Sequence, residues 1–223
     1  MKVGFLKTSL IDYPNEISSV IFFKGCNFRC VYCHNKGIVE GYDTVHELDE
    51  VLSELKSRKK YIDHVVLTGG EVLQQGKSLI PILMQLKLDG FKIKIDTNGS
   101  NPDLLSEIIE KQLVDFIAMD IKGKFIDYLK ITNTFGSKED IEKIKDSISI
   151  IESSGLPYEF RTTVFRGLHD RNILSEIERD YIKPESRYKV QRGIFVKAYI
   201  QGFEDYSEYS RVDFLNEFEG FVI

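Results

Sequence analysis

The chain has 223 residues, 42% of them hydrophobic, and its 30 basic and 35 acidic residues give a net charge of -5. This charge gives no electrostatic basis for binding nucleic acid or an anionic membrane, so we expect neither as a partner. No apolar run approaches the roughly 20 residues that a membrane-spanning helix requires, and no secretory signal precedes the cysteines, which favours a soluble, cytoplasmic protein.

Predicted strands alternate with predicted helices, which favours a single domain over residues 1–223. The first strand is expected at 17–24, followed by a helix over about 45–59 with Thr44 and Glu47 as its capping box. Later strands are expected at 64–67, 91–95, 116–119, 158–165 and within 188–200. The helices between them are expected to start near Leu79, at the Asn101-Pro102 cap, at the Ser137 and Asp140 capping box, and near Asn172. The tail over about 200–223 has no clear pattern.

About six β/α units with right-handed crossovers predict an α/β fold, a partial (β/α)6 TIM-like barrel with parallel strands. Polar clusters follow directly after three of the strands, where barrel active sites form. We therefore expect them to converge on one rim, although each alone is also typical of an ordinary loop. The clusters are Thr68-Gly69-Gly70-Glu71, Asp96-Thr97-Asn98-Gly99 and Asp120-Ile121-Lys122.

All three cysteines, Cys26, Cys30 and Cys33, lie within eight positions after the first predicted strand. Thiolates select zinc, copper(I) and iron-sulfur centres. On a four-iron cluster, three cysteines leave one iron without a protein ligand, and an open position is typical of a catalytic site. A zinc site completed by His34 or His46 remains an alternative on this loop alone. An odd cysteine count does not favour a disulfide.

The spacing Cys-x3-Cys-x2-Cys, with Tyr32 before the last cysteine, resembles that of the radical S-adenosylmethionine (SAM) enzymes. The resemblance implies a 4Fe-4S cluster on the three cysteines, whose open iron binds the methionine amino and carboxylate groups of SAM. It also implies that an electron from the reduced cluster cleaves SAM to a 5′-deoxyadenosyl radical, which then abstracts a hydrogen atom. No further cysteine is present to hold a second cluster.

The strand-end clusters match motifs of this family. Gly69-Gly70-Glu71 resembles the motif that meets the methionine amino group, although Val72 follows where the family often has proline. Asp96, with Asn98 beside it, resembles the residue that supports the same amino group. The same resemblance places Tyr32 and His34 beside the adenine, and packing of the cysteine loop is the alternative role for either residue.

Asp120-Ile121-Lys122 resembles an Asp-x-Lys motif of the branch that activates glycyl radical enzymes. In that branch the aspartate holds the ribose hydroxyls and the lysine pairs with the methionine carboxylate. Positions proposed there to hold a monovalent cation correspond to Asp96, Thr97, Met119 and Asp120.

The likeness is greatest to the activating proteins of anaerobic ribonucleoside-triphosphate reductase, over about residues 5–170. It is carried by the segment Leu10-Ile11-Asp12-Tyr13-Pro14, by the run over residues 25–35 and by the downstream motifs. It implies that a glycyl radical enzyme is the protein substrate and that reduced flavodoxin or ferredoxin donates the electron. Asp12 and Arg161 stand where related activators engage the glycine loop of the partner. For Arg161, an inward ion pair with Asp120 or Glu71 is the alternative.

Two other functions remain as alternatives. One is radical SAM chemistry on a small molecule such as a deazapurine precursor, which Asp12 and Arg161 disfavour. The other is a zinc-stabilised binding module that catalyses no reaction. We expect His46, His64 and His169 at the surface or at strand ends rather than among ligands.

Overall fold

The structure, a computed structural model, describes residues 1–194 and 207–221. The strands are β1 (Lys2–Tyr13), β2 (Glu16–Phe23), β3 (His46–Glu47), β4 (His64–Gly69), β5 (Lys92–Thr97), β6 (Phe116–Asp120), β7 (Tyr158–Val164) and β8 (Tyr188–Arg192). The α-helices are α1 (Lys36–Glu40), α2 (Leu48–Arg58), α3 (Leu79–Leu88), α4 (Pro102–Glu110), α5 (Tyr128–Thr132), α6 (Lys138–Ser153), α7 (Arg171–Asp180) and α8 (Arg211–Glu217). Short 3₁₀ helices cover Val72–Ser78 and Phe125–Asp127. The last predicted strand is β8, and residues 195–200 of its predicted range lie outside the described residues.

The chain forms two compact units. The first contains Met1–Cys26, Asn35–Thr97 and Asn101–Ala118, and the second contains Asn27–His34, Asn98–Ser100 and Met119–Ile223. Strand β6 therefore begins in the first unit and ends in the second. That residues 1–223 form a single domain stays a prediction.

In the first unit the strands are ordered β3-β1-β2-β4-β5-β6. Strand β1 is antiparallel to β2 and β3, whereas β2, β4 and β5 are parallel. The rings of Tyr13 on β1 and Phe116 on β6 have centroids 6.0 Å apart, although three strands lie between these two. A flat sheet would separate β1 from β6 by about 19 Å. The sheet of this unit therefore curls strongly, as in a barrel.

The second unit contains the end of β6 and the parallel pair β7 and β8. The Ile121 amide donates to the Arg161 carbonyl oxygen at 2.8 Å, which joins the residue after β6 to β7. Helix α6 begins with the predicted capping box, since Ser137 and Asp140 each accept a hydrogen bond from the other's backbone amide. The predicted α/β class with parallel strands is confirmed by these elements.

The sequence missed strand β1. Its central residues Lys7 and Thr8 are polar and exposed, and its register against β2 shifts between Leu6 and Ser9 and again before Tyr13. An irregular strand at the side of a sheet lacks the clean alternation or continuous apolar run that predicts a strand.

The predicted capping box of α2 is wrong. The helix begins at Leu48, and its N-cap Glu47 makes no side-chain cap hydrogen bond. Residues 46 and 47 pair with β1 instead, and the Thr44 hydroxyl donates to the Gly41 carbonyl oxygen at 2.8 Å. Residues 46 and 47 therefore form strand β3, although the capping pattern predicted them at the start of the helix.

Across residues 1–194 and 207–221, every helix is too short or too polar to span a bilayer.

Replacement of the Ser137 cap should destabilise the second unit. We expect Ser137→Ala to lower the free energy of unfolding by about 1 kcal/mol, because the Asp140 amide loses its acceptor at the helix start. Ser149→Ala is the matched control, since Ser149 is exposed within the same helix. Urea unfolding followed by circular dichroism measures both, and equal stability of the two variants would contradict the capping role.

Candidate functional site

The end of β4 lies against the start of the cysteine loop in the first unit. The Gly70 amide donates to the Phe23 carbonyl oxygen at 3.1 Å, and the Glu71 amide donates to the Gly25 carbonyl oxygen at 2.8 Å. A Cβ atom on Gly70 would lie 2.0 Å from that Gly25 oxygen, and Gly69 has a φ of +132°. Both positions therefore require glycine, which lets the strand end approach the backbone just before Cys26.

Glu71 connects two of the predicted clusters. Its side chain is 1% exposed, and Oε1 accepts hydrogen bonds from the Leu73 amide at 3.0 Å and from the Thr97 hydroxyl at 2.7 Å. The carboxylate thus caps the 3₁₀ helix that follows β4 and holds the end of β5. Within the first unit, the structure brings the glycine cluster and the end of β5 together.

Asp96 has a cationic partner that the sequence did not predict. Lys94 Nζ lies 2.6 Å from Asp96 Oδ1 and donates to the Asp12 carbonyl oxygen at 2.7 Å. The Lys94 side chain is 2% exposed and that of Asp96 is 14% exposed. Strand alternation could have found this pair, because residues two apart on a strand share one face.

Asp12 lies near the end of β1 and is half-buried. Its carboxylate accepts a hydrogen bond from the Ser9 hydroxyl, while its carbonyl oxygen is the acceptor for Lys94. Within the first unit, the structure therefore links the backbone of Asp12 to Asp96 through a single ammonium group.

The cysteine loop continues into the second unit, where the end of α5 holds it. The Arg29 amide donates to the Thr132 carbonyl oxygen at 2.8 Å, and the Val31 amide donates to the Ile131 carbonyl oxygen at 2.9 Å. Cys30 is buried, whereas Cys26 and Cys33 are half-buried, and none of the three forms a disulfide. Cys26 also borders a pocket of about 650 Å³ in the first unit.

Tyr32 packs within the second unit. Its ring stacks on Phe165 with centroids 4.9 Å apart, and its buried hydroxyl has no hydrogen-bond partner among residues 1–194 and 207–221. Burial raises the pKa of this phenol, so that it keeps its proton as a donor. His34, by contrast, is exposed.

Asn98 belongs to a polar network that fixes the loop after β5. Its amide nitrogen donates to Asn27 Oδ1 at 3.0 Å, and its Oδ1 accepts from the Ser100 amide at 3.0 Å. Asn27 in turn donates to the Ser100 hydroxyl at 2.9 Å. Because Asn27 directly follows Cys26, these contacts tie the loop after β5 to the cysteine loop within the second unit.

Asp120, Lys122 and Arg161 form a half-buried charge cluster in the second unit, with side chains that are 26%, 14% and 12% exposed. Lys122 Nζ lies 2.9 Å from Asp120 Oδ2, and Arg161 Nε lies 2.9 Å from Asp120 Oδ1. Burial opposes ionisation of Asp120, but Arg161 and then Lys122 outweigh it and hold its pKa well below the usual range. The structure thus places Arg161 in the inward ion pair that the sequence left as an alternative.

His169 is buried, contrary to the predicted surface or strand-end position. It is 2% exposed, its Nδ1 accepts from the Phe165 amide at 3.2 Å, and its Nε2 donates to the Lys122 carbonyl oxygen at 2.8 Å. Burial lowers its pKa to about 4, so the ring is neutral near pH 7. Phe165 is a local partner, four residues before His169, but Lys122 belongs to another segment, so the sequence alone does not predict this buried position.

The side chains present fit the cofactors that the sequence implies. Three thiols are donors that suit iron-sulfur centres, and the paired Lys122 and Asp120 can meet a carboxylate and hydroxyl groups. No three His, Cys, Asp or Glu side chains in the described part of the chain are grouped to hold a single metal ion.

Residues 20–179 match the model of the radical SAM superfamily. The chain is 31% identical over 202 residues to a Methanocaldococcus jannaschii protein named for glycyl-radical enzyme activation, covering 90% of this chain and 83% of the relative. It is 33% identical over 181 residues to the pyruvate formate-lyase-activating enzyme of Clostridium pasteurianum, covering 65% of this chain and 74% of that enzyme.

Among solved structures, a radical SAM methyltransferase from Sphaerobacter thermophilus has a similar fold, with a TM-score of 0.59 at 12% identity. The match covers 97% of this chain and 73% of the methyltransferase. At this identity the likeness shows the fold alone, and it confirms the predicted fold class. Because the family match spans more than half of the chain, this protein belongs to the radical SAM superfamily and is an enzyme of the kind that uses a 4Fe-4S cluster and SAM.

Proposed function

We propose that this enzyme activates a glycyl radical enzyme and that its partner is an anaerobic ribonucleoside-triphosphate reductase. The observation that supports the activating function is the likeness, over 90% of the chain, to a relative named for glycyl-radical enzyme activation. The choice of partner rests on the segment 10–14 and on the cysteine loop, which resemble the activating proteins of that reductase.

Cys26, Cys30 and Cys33 would hold the cluster. With SAM and an electron from flavodoxin or ferredoxin, the cluster would supply the 5′-deoxyadenosyl radical chemistry that removes a hydrogen atom from the partner's glycine. The hydrogen bonds from Arg29 and Val31 to α5 fix the segment around Cys30, and the glycines at the end of β4 fix the backbone before Cys26. In the protein alone, these contacts therefore fix the backbone just before Cys26 and on both sides of Cys30.

The methionine amino group is assigned to the backbone of Gly69 and Gly70 and to Glu71 and Asp96. Backbone carbonyl oxygens exposed by glycines and ionised carboxylates are the acceptors that an ammonium group requires. Glu71 also maintains this segment, because its Oε1 holds the Leu73 amide and the Thr97 hydroxyl.

The ribose is assigned to Asp120 and the methionine carboxylate to Lys122. The existing ion pair orients both side chains, and Arg161 keeps Asp120 ionised when Lys122 turns to a ligand carboxylate. Tyr32 and His34 border the adenine, and the buried Tyr32 hydroxyl offers a hydrogen-bond donor there. Asp12 and Arg161 contact the glycine loop of the partner. Arg161 does so while it remains paired with Asp120.

The partner is tested by electron paramagnetic resonance. Reduced, iron-loaded protein with SAM should generate a glycyl radical on purified anaerobic ribonucleoside-triphosphate reductase, because the partner's loop supplies the hydrogen atom. Pyruvate formate-lyase serves as the comparison substrate, and Cys30→Ala, which should lose the cluster, serves as the inactive control.

A radical on pyruvate formate-lyase alone would show that the named partner is wrong while the activating function stands. Release of 5′-deoxyadenosine without a protein radical on either enzyme would instead support a small-molecule substrate. Colourless protein that contains one zinc ion after anaerobic purification would contradict the radical mechanism as a whole.

The Lys122 assignment predicts a binding defect without loss of the cluster. Lys122→Met should weaken SAM binding at least about tenfold, since a charge-assisted hydrogen bond contributes roughly 1.5–3 kcal/mol. Asp120 keeps Arg161 as its partner in the variant, so the site should stay folded. Equilibrium binding of SAM and iron content are measured, with Lys124→Met as the control because Lys124 pairs with Glu176. Unchanged affinity in Lys122→Met would refute the assignment.

A further inference from the structure

Lys94 is a buried cation that the proposed function does not use. On β5 its register partner is Val66, whose own partner on β2 is Val20, and both valines are fully buried. A lysine in these surroundings needs a counter-charge, because an unpaired buried charge is strongly unfavourable. Asp96 Oδ1 provides it at 2.6 Å, and the Asp12 carbonyl oxygen accepts a second hydrogen bond at 2.7 Å.

The pairing conflicts with the monovalent cation that the family resemblance implies. A metal cation beside Asp96 would require this carboxylate as an oxygen ligand, yet the carboxylate is already neutralised by Lys94. A second positive charge near the ammonium would be repelled in this buried setting. In the second unit, Asp120 likewise has two cationic partners, Lys122 and Arg161. The two carboxylates among the implied ligands are thus compensated within their own units.

We propose that Lys94 is a positioning residue whose ammonium group takes the place of a monovalent metal cation beside Asp96. It fixes the orientation of the Asp96 carboxylate that meets the SAM amino group. The part of this inference that concerns SAM rests on the proposed function. Binding of SAM to this chain is consequently independent of Na⁺ and K⁺.

The second hydrogen bond extends the role of Lys94. An ammonium group has three donors on a flexible stem, and two of them connect separate segments of the first unit, the end of β1 and the end of β5. Arginine could not preserve this geometry, because its guanidinium is planar and longer. Loss of the ammonium therefore releases both Asp96 and the backbone at Asp12.

The test compares wild type with Lys94→Met in chloride salts of Na⁺, K⁺ and tetramethylammonium at one ionic strength. Lys92→Met is the matched control, because Lys92 lies at the exposed start of the same strand and Asp115 retains Lys87 as its partner. Thermal unfolding is measured on the iron-loaded protein without SAM, and SAM affinity is measured by equilibrium binding.

Wild type and Lys92→Met should show the same unfolding temperature and SAM affinity in all three salts. Lys94→Met should unfold at a lower temperature in tetramethylammonium than in K⁺ or Na⁺, because a small cation can replace the missing ammonium beside Asp96. Its SAM affinity should fall at least about tenfold in tetramethylammonium and recover in K⁺ or Na⁺. The double variant Lys94→Met with Asp96→Asn should lose the salt response, since no carboxylate remains to be compensated.

A wild-type protein whose unfolding or SAM affinity depends on Na⁺ or K⁺ would overturn the proposal, and so would a Lys94→Met variant that responds equally to all three salts. If Lys94→Met fails to fold, Lys94→Gln takes its place. The salt dependence of wild-type unfolding and SAM affinity tests the proposal without any Lys94 variant. Failure of SAM to bind any variant would count against the proposed function, while the salt dependence of unfolding would still decide the role of Lys94.

Discussion

The structure depends on compensation of half-buried carboxylates at the carboxyl ends of strands. Asp96 on β5 has Lys94 at 2.6 Å, and Asp120 on β6 has Lys122 and Arg161 at 2.9 Å each. The Lys94 side chain is 2% exposed, and an uncompensated charge left at such a buried position typically costs about 3–5 kcal/mol. The carboxylates are therefore held in one orientation in the protein alone, which is the condition for binding an ammonium group and ribose hydroxyls without reorganisation.

A second constraint is steric and acts at the end of β4. Gly70 lies so close to the Gly25 carbonyl oxygen that any side chain would displace the backbone just before Cys26. The glycines of the family motif are thus explained here by packing as well as by backbone exposure to a ligand. In the second unit, the contacts of Asn98 with Asn27 and Ser100 serve a comparable purpose for the segment that follows Cys26.

Much of the fold could be predicted because buried parallel strands read as continuous apolar runs. Strands β2, β4 and β6 lie within about two residues of their expected bounds for this reason. Strand β1 was not predicted because its polar centre and its shifted register against β2 disrupt the alternation of apolar and polar residues that indicates a strand. The capping box predicted at Thr44 is wrong because residues 46 and 47 pair with β1, and this pairing outweighs the cap hydrogen bond of a helix that would begin at residue 45.

The candidate site could be predicted where a cluster follows a strand in sequence. The contacts of a site residue could not be predicted when its partners lie far away in the chain. Strand alternation places Lys94 and Asp96 on one face, but the contact of Lys94 with Asp12 forms only when the chain folds. His169 likewise bonds through Nε2 to the carbonyl oxygen of Lys122, which lies 47 positions earlier in the chain. For Arg161 the sequence left two roles open. The structure shows the ion pair with Asp120, and contact with a partner's glycine loop stays a prediction.

The proposal that Cys26, Cys30 and Cys33 leave one iron open to SAM is tested most directly by electron–nuclear double resonance on the reduced, iron-loaded protein. SAM is labelled with ¹⁵N in its amino group and with ¹⁷O in its carboxylate. We expect strong hyperfine coupling of both labels to the cluster, as direct bonds to one iron require. Saturating SAM that binds the protein without coupling of either label would contradict the proposal.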